Sequence, residues 1–156
     1  MLPVVLKVLM VVAVVFFCMS VAANIAGLAQ VPPLLGTATA PFMHFGVIFL
    51  WVLIFVAGYA LQGGMRRPAN APKVEATAPL WATLIAFGVI AYGVAIFAWK
   101  SGGGTFAGMS FGWGGPPPYG SPAMIASFSG IWMIFSWCAI AGLLSMIAYY
   151  RRLDEE

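Results

Sequence analysis

The chain has 156 residues, 63% of them hydrophobic and only 7% charged, with a formal net charge of +3 and a mean hydropathy of +1.01. Soluble domains carry roughly 45–50% apolar residues, so this composition excludes a soluble globular fold, and so small a charge excludes a nucleic-acid surface. The four carboxylates are Glu75, Asp154, Glu155 and Glu156, which leaves no acid inside an apolar run.

A helix needs about 20 apolar residues to cross a hydrocarbon core roughly 30 Å thick. Four runs reach that length, at 3–26, 41–61, 79–99 and 122–150. Barrel strands would be about 10 residues long with dyad alternation, a pattern this sequence lacks. The expected fold is an all-α integral membrane protein, a single four-helix transmembrane domain over 1–156. Pro3, Pro41, Pro79 and Pro122 punctuate the helix starts, because a first-turn residue has no use for its missing N–H.

In the first run Val21-Ala22-Ala23 imitates a signal cleavage site, but the apolar stretch exceeds a usual signal-peptide core. It is expected to be retained as a membrane span. Lys7 belongs to its inner end, where the stem can snorkel to the headgroups, and Ser20, Asn24 and Gly27 share one face. The connector that follows, 27–40, holds no Lys or Arg but presents Val31, Pro32, Pro33, Leu34 and Leu35.

The second run carries His44, the one histidine of the chain. An ionisable group at membrane depth is a functional candidate by default. Axial ligation of a haem or chlorophyll-type pigment needs a neutral imidazole and room for a ring, which Gly46 is expected to supply. A Cu(I) site of Met43, His44, Met109 and Met124 is the other chemical candidate, since thioether and imidazole suit that ion. The simpler reading is a histidine hydrogen-bonded to a neighbouring carbonyl or to water. Trp51 and, in run four, Trp137 are expected to pack against neighbours with each indole N–H on a backbone carbonyl or Ser.

In the third run Gly88, Ala91, Ala95 and Ala98 recur at heptad spacing, and in the fourth Gly142 pairs with Cys138. Small residues let membrane helices approach closely, so Gly88, Ala91, Ala95 and Gly142 are the expected helix-packing positions. The intervening loop, 101–121, sets Phe106, Phe111, Trp113 and Tyr119 on a Gly/Pro frame without a charge. Such uncharged aromatic surface marks an interaction site, and these four are the expected partner-binding residues; the alternative is an aromatic belt in the headgroups. Ser121 before Pro122 is the expected N-cap of the last helix.

Arg66, Arg67 and Lys73 lie between runs two and three, and Arg151 and Arg152 follow run four. The positive-inside rule then predicts both termini in the cytoplasm and the two uncharged connectors outside, in a multi-pass protein of a bacterial inner membrane. No nucleophile–base pair, HExxH, CxxC or phosphate-binding loop occurs, so no enzyme activity is expected. Nor is a proton relay expected inside the bundle. The function these residues suggest is a non-catalytic accessory subunit of a larger membrane complex, surrounded by lipids and touching no nucleic acid, with no cofactor required. The alternatives are a pigment-, haem- or copper-binding protein using His44, and a channel for a neutral solute, for which no ring of polar residues speaks.

Overall fold

In the computed structural model, residues 2–61, 78–100, 105–106, 109–110, 118 and 120–155 are described. Four helices dominate: α1 Leu2–Leu28, α2 Thr39–Leu61, α3 Leu80–Lys100 and α4 Pro122–Glu155. All four are long and apolar enough to cross a membrane. One 3₁₀ turn, Gly36–Ala38, leads into α2. Between α3 and α4 a two-residue antiparallel ladder pairs β1 (Thr105–Phe106) with β2 (Met109–Ser110).

The helix limits differ from the apolar runs by at most five residues, for local reasons. α2 begins at Thr39 rather than Pro41, which places the proline inside the first turn, where it forfeits no intrahelical bond. Pro79 stays outside α3 and caps it instead, its carbonyl accepting from Ala82 N–H at 2.9 Å and Thr83 N–H at 3.1 Å. At α4 the Ser121 hydroxyl accepts the Met124 N–H at 3.2 Å, the N-cap geometry expected of Ser before Pro. α4 runs to Glu155 and has 34 residues, about 51 Å at 1.5 Å per residue. That is longer than a hydrocarbon core roughly 30 Å thick.

α1 ends without a glycine in the place where one is usual. Gln30 takes φ 59°, while Val31 N–H reaches Ala26 O at 3.0 Å and Gln30 N–H reaches Gly27 O at 3.4 Å. That pair of bonds is the Schellman closure. The Gln30 side chain adds a third, Nε2 to the same Gly27 carbonyl at 3.1 Å.

α4 is the organising helix. Among the described residues it packs on α1, α2 and α3, while α1 and α2 also meet; the backbone of α3 approaches α4 alone. The buried core accordingly lies in the α1–α2–α4 wedge. One cluster joins Leu6, Leu9 and Ala13 to Leu50, Ile54, Ala57, Ala139, Ile140 and Leu143. A second, near the other end, joins Ala23 to Ala40, Met43, Val47, Met124, Ile125 and Trp132. α3 contributes only Ala82, Gly93 and Ile96 as buried residues.

Close approach is achieved at glycines the heptad pattern did not single out. A Cβ on Gly93 would lie 2.6 Å from the Gly130 carbonyl, and one on Gly130 would lie 2.8 Å from the Gly93 carbonyl. Gly27 does the same for α1, since its Cβ would fall 2.7 Å from Ala126 N. The expected packing positions are elsewhere. Gly88, Ala91 and Ala95 are exposed on the face of α3 turned away from α4. Nothing in the described chain comes within 4 Å of an added Cβ at Gly88 or at Gly142. Every face of a membrane helix can be apolar, so small-residue spacing alone does not tell an inner stripe from an outer one.

Candidate functional site

His44 lies one turn into α2 and is half-buried against α4. Its ring meets Phe128 at 5.1 Å and stands edge-on to Trp132 at 5.2 Å and 87°. Nδ1 is 2.9 Å from the Ala40 carbonyl one turn back. A carbonyl only accepts, so Nδ1 carries the proton and Nε2 keeps its lone pair in the neutral ring.

The imidazole stands at one end of an apolar groove of about 700 Å³ between α2 and α4. Val47, Ile48, Trp51, Val52 and Phe55 form its α2 wall; Phe128, Ile131, Trp132 and Phe135 form the α4 wall. From His44 to Phe55 the groove follows three turns of helix, about 16 Å. Trp51 braces it, its indole N–H donating to the Phe135 carbonyl at 3.2 Å. The Trp132 indole N–H is buried and finds no acceptor among the described residues, as are the Thr39 and Ser136 hydroxyls.

Gly46 does not provide the space assigned to it. A Cβ there would strike the Phe16 ring at 2.3 Å, so this glycine admits a side chain of α1, and the room beside His44 comes from the α2–α4 groove. Met43 and Met124 are both buried and belong to one cluster. Met109 is described only as a backbone position in β2. Among the described residues no group of three or more His, Cys, Asp or Glu side chains is placed to hold a metal ion.

A polar cluster that the sequence half revealed ties three helices together. Ser20, Asn24 and Gly27 do share a buried face of α1, turned to α4. The Asn24 amide donates to the Ser129 hydroxyl at 3.0 Å, which in turn donates to the Ala126 carbonyl at 2.8 Å. Tyr92 of α3 completes it by donating to Asn24 Oδ1. Nothing in the local sequence flags Tyr92, whose role depends on where α3 docks. Trp137 also holds α3, donating to the Ala82 carbonyl at 3.0 Å.

Of the expected partner-binding residues, Phe111, Trp113 and Tyr119 lie outside the described residues, and Phe106 enters only as a backbone position of β1. Comparison of the chain with known protein families, curated proteins and solved structures finds no match. The functional reading therefore rests on this geometry.

Proposed function

We propose that the chain is a non-catalytic accessory subunit of a larger integral membrane complex, in a bacterial inner membrane with both termini cytoplasmic. The observation behind this reading is the outward face of α3. Gly88, Ala91 and Ala95 form an exposed small-residue stripe that the chain's own helices leave uncovered. Small residues have little value against lipid and much value against another helix, whose backbone they let come close. Among the described residues the backbone of α3 packs on α4 alone, with Tyr92 reaching Asn24 of α1, which leaves the Gly88–Ala91–Ala95 face for a partner helix. The uncharged loop carrying Phe106, Phe111, Trp113 and Tyr119 would extend that contact at the outer face, since Trp and Tyr dominate interface hot spots. Mild-detergent extraction followed by native mass spectrometry tests the reading. A stoichiometric larger partner is expected, lost from Gly88→Leu and from the double variant Trp113→Ala/Tyr119→Ala while the chain stays folded. A bare monomer from native membranes, or unchanged co-purification of both variants, would sink it.

A second reading has its own observation, the fixed tautomer of His44. Metal-bound histidines usually donate their other ring N–H to a carbonyl or carboxylate, and Nδ1–Ala40 has that form. With Nε2 beside an aromatic groove of about 700 Å³, within the size of small-molecule sites, His44 would serve as axial ligand to a haem or chlorophyll-type ring. Iron protoporphyrin added to the purified chain should then give a Soret shift that His44→Ala abolishes and that Ile48→Trp, which fills the groove, also prevents. Equal spectra for wild type and both variants would remove this reading. The copper set has no comparable support.

A further inference from the structure

At the end of the bundle opposite His44, a cavity of about 240 Å³ opens on the α1–α4 seam. Lys7 and Arg151 both line it, one from each helix, beside Pro3 and Tyr150. Both cations are exposed. An anion held between two like charges at one cavity gains from both. The cavity also adjoins the first turn of α1, where unpaired backbone N–H groups and the helix dipole favour negative charge; no acidic residue occupies that turn. The remaining walls, Leu6 and Ile147, are apolar, and beside the cavity Val4, Val8 and Val11 share a face of α1 with Lys7 and are exposed.

We infer that this cavity is a binding site for the phosphate headgroup of an anionic phospholipid. Lys7 and Arg151 would share the phosphate, Arg through its planar fork and Lys as a point charge. The acyl chains would lie along the exposed flank of α1, over Val4, Val8 and Val11. A basic pocket between membrane helices at the cytoplasmic side is the usual place for such headgroups. A free phosphate ion offers the same anionic oxygens, but the exposed valine flank of α1 beside the cavity is of use only to a ligand with a hydrocarbon tail.

The test is native mass spectrometry of the full chain in mild detergent, with phosphatidylglycerol, phosphatidylcholine or inorganic phosphate added separately. Phosphatidylglycerol should be retained in preference to phosphatidylcholine, and high salt should weaken it. In Lys7→Gln/Arg151→Gln retention should fall about thirtyfold, each basic residue near the surface being worth about fivefold. Arg66→Gln/Arg67→Gln, which removes the same charge from the 62–78 connector, should leave retention unchanged. Lys7→Arg keeps the charge and should keep the lipid, which guards against a merely misfolded double variant. Equal retention of the two phospholipids, or equal loss in both double variants, would overturn the site. Binding of inorganic phosphate without preference for phosphatidylglycerol would overturn the lipid as its source.

Discussion

The Tyr92 hydroxyl donates to Asn24 Oδ1 across two helices whose backbones do not meet. This bond, together with Asn24 to Ser129, makes a polar tie among three helices one turn from the end of α1. Membrane hydrogen bonds of this kind average about 0.6 kcal/mol and reach about 1.7 kcal/mol.

Asn24→Leu removes the tie on both sides, and should lower stability by about 1–2 kcal/mol. Tyr92→Phe removes one bond and should cost about half as much. Equilibrium unfolding in mixed detergent micelles would measure both. A double variant no worse than Asn24→Leu alone would show that the tyrosine acts only through the asparagine.

Two glycines of α3 should behave oppositely when replaced by alanine. At Gly93 the new methyl meets the Gly130 carbonyl and must push α3 off α4, an overpacking cost of about 1–3 kcal/mol. At Gly88 it meets nothing in this chain, and better helix propensity should add up to about 1 kcal/mol. The same unfolding assay on the isolated chain separates them; equal losses would mean that α3 docks on another face.

Gln30→Gly should stabilise the chain. A left-handed conformation costs an L residue about 1–2 kcal/mol, and glycine adopts it freely. Part of the gain is offset by losing the Gln30–Gly27 side-chain bond, so about 0.5–1 kcal/mol is expected. A lowered melting temperature would show that the side-chain bond outweighs the strain.

Ser121→Ala should cost about 1 kcal/mol, because the Met124 N–H loses its acceptor. Thermal unfolding followed by helical circular dichroism would read the loss, and Ser121→Asp should restore the wild-type value.

The four spans were legible because length and apolarity alone decide whether a helix crosses a bilayer. Ser121 was legible because capping is local: a Ser before Pro announces its own geometry. The indole bonds of Trp51 and Trp137 followed from the need to pair an N–H that faces no water in the bilayer, a need Trp132 leaves unmet among the described residues. What stayed hidden was which way each helix faces. Gly88 and Gly93 are both glycines in the same apolar run, yet one is exposed and the other buried. In water the polar side of a helix would have told them apart; in lipid both sides are oily. The groove beside His44 was illegible for the same reason, since it is bounded by residues of two helices in a register no single run encodes.

α4 packs on all three other helices while the backbone of α3 packs on α4 alone, and this has a consequence for biogenesis. A chain threaded into the membrane from its N-terminus can pair α1 with α2 as they emerge. α3 then has no surface to dock on, and Asn24 and Tyr92 wait in the bilayer without Ser129 or a fixed distance between them. Only when the fourth span arrives do the separate helices become one object, so a stalled or truncated chain would present loose helices with stranded polar groups to the membrane's quality-control proteases.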